Sequence, residues 1–505
     1  MLQLLTPRYL ITLKPQNSIQ LIFFFLFLLP GLAESQVKKK KQETYTIEAT
    51  VLDKSTKTPL PFTNVLIDGT SIGTITNEEG KFELTISKKY ESRKVVFSFV
   101  GYENSSISIK KLKDTSKKVY LNPVSTSLDE IVVTVKNKYK ELIDQAISLI
   151  PENYSQQSTE LEAYYRELTK IDNNYTKFSD AASLIHYSAY DSNFDYLLSR
   201  TNYMQFNRLE YNINQVPFPE PQKFVADTRD KAKIIALRKS NNLQDYKILE
   251  QSKKLKSIDT LNLKWLENNE IGGGPLRLTG ADKVKRKEDF FDSQINNKYL
   301  FTLYGKSTYN NKLVYIISFK PKDFSDIETP YIGEVTIEED SKAIISYQYK
   351  LTNEAKSTLN QRFAAQLKTP EVIEKSSKKA FITRITSLKN YQVYVTFSDY
   401  KSTWYLKRIK AINSYENTGD LFENYKITTE SELIVGAVNI EKISSFTNDE
   451  IFKNNFSNAL FNYPLSYDSN FWNNYNTLIA TGVVGEALED LEVKGSLESQ
   501  FKRKN

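Results

Sequence analysis

The sequence predicts a mainly β protein in two parts: a small N-terminal β-sandwich, then a larger α+β domain built on a strongly curved, half-barrel-like antiparallel sheet. Three observations predict it. The chain of 505 residues holds 32 Tyr and 28 Phe with many Ile, Val and Thr, a composition that suits pleated, half-buried surfaces. Short apolar segments alternate with turns between Tyr45 and about Val135. Longer alternating segments joined by polar turns then dominate the second half.

In chain order, LIFFFLFLLPGLAESQ comes first. Its apolar run from Leu21 to Leu29 follows Arg8 and Lys14 and precedes Ala33-Glu34-Ser35, a small-x-small site, so residues 1–35 read as a signal peptide and the chain as exported. An uncleaved anchor is the alternative. Residues 36–44 form a basic linker containing Lys38 to Lys41. Removing residues 1–35 leaves 66 basic and 60 acidic side chains, scattered without an arginine-rich block, so no nucleic-acid partner is expected.

Residues 45–135 carry the sandwich strands YTIEATVLD, TNVLIDG, GKFELTI, KVVFSFVGY, SSISIKKL, KKVYLNP and EIVVTV. Alternation in KFELTI puts Phe82, Leu84 and Ile86 on the core face. Within GTITNEEGKFEL, Asn77-Glu78-Glu79-Gly80 reads as a turn that pairs Thr74–Thr76 with Phe82–Ile86 and points its acids to solvent. The order of Val51–Leu60, TNVLIDGTSIGTITNEEGKFEL, VVFSFVGYENSSISI and LDEIVVT resembles the carboxypeptidase regulatory-like domain, which also precedes the plug of many TonB-dependent outer-membrane receptors. The resemblance implies a transthyretin-like sandwich without catalytic residues of its own.

Residues 136–151 contain a linker helix, KELIDQAISLI, whose Leu142, Ile143, Ala146, Ile147 and Ile150 form a docking stripe, with Pro151 as its stop. Residues 152–460 are the large β-rich domain with a helical insert. It opens on a hairpin turning at Asp172-Asn173-Asn174. TRDKAKIIALRKS is its best helix, Gly272-Gly273-Gly274-Pro275 a loop, and Tyr309-Asn310-Asn311 a turn between strands. VYIISFKP followed by YIGEVTIEEDSKAIISYQY is similar to strand pairs in the half-barrels of periplasmic lipoprotein carriers and sensor domains. Residues 461–505 form a C-terminal tail with a helix, and SNFWNNYNTLIATGVVGEALEDLEVKGSLESQF resembles the tails of uncharacterised envelope proteins bearing the regulatory-like domain.

Few residues suit chemistry. With no Cys and a single His186, the chain lacks a disulfide framework, a thiolate or multi-histidine zinc site and a Cys-His pair. His186, between Ile185 and Tyr187, reads as a strand residue. LYGKST has Leu300 where a phosphate loop needs glycine, and reads as a turn. IGGGPLRLTG has Arg277 where a dinucleotide fingerprint needs its third glycine, although Gly272, Gly273, Gly274 and Arg277 are a candidate anion or glycan loop. Glu338, Glu339 and Asp340 read as a solvated hairpin tip. Tyr400, Trp404, Tyr405, Phe471, Trp472 and Tyr475 are candidate binding aromatics, against a core role.

No catalytic, cofactor-binding or metal residue is assigned. The expected function is a non-enzymatic, periplasmic or outer-membrane-associated binding or assembly protein, with an envelope partner or outer-membrane complex and an apolar or glycan ligand. One alternative is a carboxylate-dependent hydrolase of glycan or peptidoglycan, which needs two converging acids. The other is a small outer-membrane β-barrel accessory to TonB-dependent uptake.

Overall fold

The computed structural model describes residues 43–114, 117–124, 138–191, 229–241, 274–326, 328–367, 384–419, 422–441, 443–452, 460, 463–480, 482–492, 496 and 499. Residues 1–35, read above as a signal peptide, most of the basic linker, EIVVTV, Gly272 and Gly273 lie outside them. Residues 44 onward cluster as one compact unit.

The sandwich is made of two sheets. One contains β1 (Thr44–Asp53), β4 (Lys81–Ser87) and β7 (Lys118–Leu121) in the order β4-β1-β7. The other contains β2 (Asn64–Ile67), β3 (Gly73–Ile75), β5 (Lys94–Ser98) and β6 (Ser105–Ser108) in the order β3-β2-β5-β6. Alternation decides the core: Phe82, Leu84 and Ile86 are buried against Val65, Ile67, Val95 and Phe97. SSISIKKL is only half strand, since a short helix α1 (Ile109–Asp114) follows β6.

The expected hairpin at Gly80 is corrected. β3 pairs with β2 and β4 pairs with β1, so the Asn77–Gly80 tip crosses from one sheet to the other. The turn itself is real: Gly80 has φ +69°, its amide donates to the Asn77 carbonyl, and a Cβ there would lie 2.6 Å from the Val51 oxygen.

The linker helix is α2 (Lys138–Ser148), continued by α3 (Ile150–Asn153) with Pro151 in its first turn. Ile143, Ala146 and Ile150 dock in the main core. Next comes the hairpin β8 (Thr159–Ile171) and β9 (Asn174–Tyr187), turning where expected with Asp172 at φ +52°. β10 (Lys231–Asn241) replaces the helix expected in TRDKAKIIALRKS. Its Lys, Ala, Leu and Arg favour a helix locally, but β9 offers a strand edge, and pairing along it buries Ala232, Ile234 and Leu237. His186 lies in β9 as expected, half-buried.

After two single-turn helices, α4 (Pro275–Thr279) and α5 (Lys283–Arg286), the chain runs through β11 (Tyr299–Tyr309), β12 (Lys312–Pro321), β13 (Tyr331–Glu338) and β14 (Ile344–Leu351). Helix α6 (Asn353–Leu367) precedes β15 (Arg384–Tyr400), β16 (Thr403–Gly419) and β17 (Phe422–Asn439). All ten strands form one curled antiparallel sheet, ordered β10-β9-β8-β17-β16-β15-β14-β13-β12-β11. Among the described residues β10 and β11 are the ends of that order and do not pair with each other. Asn310 and Asn311, both at positive φ, make the tight β11–β12 turn. LYGKST is not a turn, however: it lies within β11, which bulges between Leu303 and Gly305.

The sheet has two unlike faces. The inner face carries the main core, filled by α2 to α5 and by rings such as Phe290, Phe291, Tyr347 and Tyr349. The outer face receives the sandwich and the C-terminal tail, with α7 (Ser469–Trp472) and α8 (Val483–Glu492).

Candidate functional site

Cross-strand register aligns the side chains that give each face its chemistry. On the outer face Arg166 of β8 stands directly opposite Asp180 of β9, which stands opposite Arg238 of β10. Asp180 is fully buried and accepts from Arg166 Nε at 2.8 Å and Nη2 at 3.0 Å, and from Arg238 Nε at 2.9 Å and Nη2 at 2.7 Å. Burial alone would raise its pKa, but the two guanidiniums outweigh that and hold it below the usual carboxylate range. Next to it Arg408 pairs with Glu432 at 2.5 Å and stacks 3.8 Å over the Phe62 ring of the sandwich.

The sandwich tip belongs to this seam. Glu78 accepts from Lys410 at 3.1 Å, Asn77 Nδ2 donates to the Ile479 carbonyl at 3.5 Å, and Asn476 of the tail bonds both backbone groups of Thr85. Ser71 Oγ donates to the Val438 carbonyl at 2.9 Å and accepts from its amide at 3.0 Å. Glu78 is therefore a docking contact rather than a free solubilising group. Glu79, paired with Lys81 at 2.7 Å, stays partly exposed.

At one end of the inner face the fill is aromatic and ionic. Asp282 accepts hydroxyl protons from Tyr187 at 2.8 Å and Tyr190 at 2.6 Å, and amides of Val284 and Lys285 at 3.1 Å. Lys285 reaches both oxygens of buried Asp230, at 2.8 and 2.9 Å, and lies 3.7 Å from the Tyr187 ring centre. Burial raises the pKa of Asp282, and also that of Glu288, which Arg286 binds. Both raised acids thus have engaged oxygens, fastening the α4–α5 segment to the sheet.

The other end of the inner face is polar. Register sets Asn413 of β16 opposite Thr429 of β17, Thr429 opposite Thr169 of β8, and Thr169 opposite Lys177 of β9. One pair along, Ser431 faces Glu167, and Tyr415 lies two residues past Asn413 on the same face. All are buried. The Thr169 and Thr429 hydroxyls, the Asn413 carbonyl oxygen and the Tyr415 hydroxyl have no hydrogen-bond partner, whereas the Tyr165 hydroxyl is spent on Glu167.

Helix α4 contacts β9, β10, β16 and β17, bringing the expected Gly274 and Arg277 beside this polar end. Arg277 acts on Tyr415 electrostatically and the Gly274 backbone acts on the Tyr165 hydroxyl. Gly274 has φ +87°, and a Cβ would lie 2.9 Å from the Phe452 ring. The six aromatics are not assembled into one surface. Trp404 and Tyr405 are buried in the main core with Tyr400 packed against it, while Phe471, Trp472 and Tyr475 pack with Tyr164 and Ile434 on the outer face. Their polar sequence neighbours reflect strand alternation and tail turns.

Glu338–Asp340 does sit at the β13–β14 hairpin tip, but Glu338 is only 1% exposed and accepts from Lys312 and Ser341. Sequence reading missed Lys407, the extra residue of the β16 bulge, which is buried and donates to the Val435 carbonyl at 2.7 Å. Burial pushes its pKa down to about 7. Its place in TWYLKRIKAI gives no signal, because alternation alone would treat it as one more outward lysine. Among the described residues, no cluster of three or more His, Cys, Asp or Glu is placed to hold a metal, and no helix is long and apolar enough to cross a membrane.

Residues 47–133 match the family model of the CarboxypepD_reg-like domain, in agreement with the sandwich and with the resemblance read from its motifs. No curated protein matches the chain. Among solved structures, the chain is similar to a domain classed as an outer membrane lipoprotein-sorting protein from Vibrio parahaemolyticus, with 9% identity, 61% of this chain and 95% of that chain covered, and a TM-score of 0.22. A DUF1329 family protein from Desulfovibrio piger gives 9%, 61%, 95% and 0.21 for the same quantities. A LolA superfamily protein from Nitrosomonas europaea gives 8%, 62%, 98% and 0.19.

Proposed function

We propose that the protein is a non-enzymatic cell-envelope binding or assembly protein, exported through its N-terminal apolar segment. The sandwich supplies a protein-contact surface, and the inner face of the large sheet supplies a ligand site. The observation that carries this reading is how the sandwich is fastened. Its β3 and β4 side is consumed by the seam with β15 to β17 and the tail, through Ser71, Asn77, Glu78 and Thr85. The β6 and β7 edges lie at the far end of each small sheet and carry Tyr120, which is 40% exposed. The β5–β6 loop is fastened as well, by the Gly101 amide on the Thr308 carbonyl at 2.8 Å and by Asn104 on Asn310 at 3.1 Å, so the surface the domain presents to a partner is the one around Tyr120.

Envelope fractionation with a photo-crosslinking residue at Tyr120 tests it. The reading expects the chain in the periplasmic or outer-membrane fraction and one dominant adduct at this position, absent from a control position inside the seam. Recovery in the cytoplasm, or equal labelling at both positions, refutes it.

A further inference from the structure

We infer that the polar end of the inner face is a subsite for a neutral polyhydroxyl ligand, a carbohydrate, rather than for an acyl chain. The inference rests on the binding-protein reading above and names the ligand class for its inner face. Two facts about the sheet make the case.

First, the unmatched groups in the row itself are uncharged. Thr169, Thr429 and Tyr415 offer hydroxyls that both donate and accept, and Asn413 offers a carbonyl oxygen. They fall in adjoining positions on three neighbouring strands, with Thr169 only 6% exposed and Asn413 only 1%. A buried polar atom left unmatched costs about 1–3 kcal/mol, so several together on one face are a standing demand for a hydrogen-bonding occupant. Of the charges nearby, Glu167 holds the Tyr165 hydroxyl and Lys177 and Arg277 have partners of their own, although the buried Arg277 Nε is left without an acceptor. The Asn413 oxygen needs a donor and the Arg277 Nε an acceptor, and sugar hydroxyls supply both where a carboxylate or ionised phosphate supplies only the second.

Second, the apolar end is taken. Phe290, Phe291, Tyr347 and Tyr349 pack ring against ring there, with Phe290 and Phe319 stacked at 4.1 Å, and Asp282 pins the segment that brings the two phenylalanines. An acyl chain would have to evict these rings. A sugar at the polar end would not, and the ring of Tyr415, two residues along β16 from Asn413, adjoins the row as apolar surface for its C–H face.

The test uses the mature protein, chitotetraose and maltotetraose as carbohydrate probes, and N-phenyl-1-naphthylamine as an apolar probe. Thr169→Val and Thr429→Val together remove two unmatched oxygens while keeping shape, so thermal unfolding of the double variant should match or exceed the wild type. Calorimetry is expected to show binding of at least one oligosaccharide, weakened tenfold or more in the double variant, with no competition from the naphthylamine. Three results overturn the inference: no oligosaccharide binding, with ordered water only on the row at high resolution; binding unaffected by the double variant; or naphthylamine binding that the double variant abolishes. That last result leaves the binding-protein reading standing, whereas cytoplasmic recovery in the fractionation experiment removes it, so the two failures are distinguishable.

Discussion

Replacing Asp180 with Asn should be among the most damaging single changes on the outer face. Asp180 is fully buried and receives four charge-assisted hydrogen bonds from Arg166 and Arg238 at 2.7–3.0 Å. The amide keeps one acceptor oxygen but turns an NH2 group towards a guanidinium, and it leaves Arg166, 3% exposed in its side chain, with only Glu432, which Arg408 and Lys410 already share. Breaking one partner of a buried ion pair costs about 3–5 kcal/mol. Two guanidiniums depend on this carboxylate, so a value near the upper end is expected. The same physics predicts that Arg166→Met, Asp180→Leu and Arg238→Met combined recover most of the loss, because burying a charged triad gives little net stability over apolar packing. Urea unfolding followed by tryptophan fluorescence reads this locally, since Trp472 stacks 4.7 Å from the Arg238 guanidinium. If Asp180→Asn costs less than about 1 kcal/mol, or the triple variant is worse than the single one, the seam is not held as described.

Other consequences concern Lys407 and the sandwich tip. Lys407 has its folded pKa lowered to about 7, while the unfolded chain keeps this lysine protonated to about pH 10. The unfolded state then binds the extra proton between those values. Stability should rise with pH there by up to about 1.4 kcal/mol per unit from this group and be flat in it below pH 7. Lys407→Met should remove the slope and stabilise the protein at pH 7; equal slopes in urea titrations of the two proteins at pH 7 to 9 would refute the assignment. Gly80→Ala should cost about 1–2 kcal/mol for its left-handed backbone, and more for displacing the Val51 carbonyl, as a lowered melting temperature. Glu79→Ala beside it should change stability by less than about 1 kcal/mol, because its pair with Lys81 is largely solvated.

Local chemistry made some of this legible in the sequence and hid the rest. Asp172–Asn174 and Asn310–Asn311 announced their hairpins because Asn and Asp tolerate positive φ. The Asn77–Gly80 tip gave the same kind of signal, but a turn does not specify which strands its flanks will join, and here they enter different sheets. Residues 231–241 hid their strand behind helix-forming side chains, and only the edge of β9 reveals it. Arg166 and Asp180 could not have been matched by counting back from the β8–β9 turn, because the bulge at Thr176 shifts the register by one and a plain count sets Ser179 opposite Arg166. The polar row was beyond reach, because Asn413, Thr429 and Thr169 meet only once β16, β17 and β8 are in register. Gly274 and Arg277 were singled out as a loop, yet the polar end beside which they lie is assembled from strands more than a hundred residues away.

A crystal structure grown with chitotetraose or maltotetraose tests the central claim most directly. The account predicts a sugar ring hydrogen-bonded to the hydroxyls of Thr169 and Thr429 and to Asn413, with Phe290 and Phe291 still in place. A row occupied by water alone at millimolar oligosaccharide, or an acyl chain lying where those two rings stand, would contradict it.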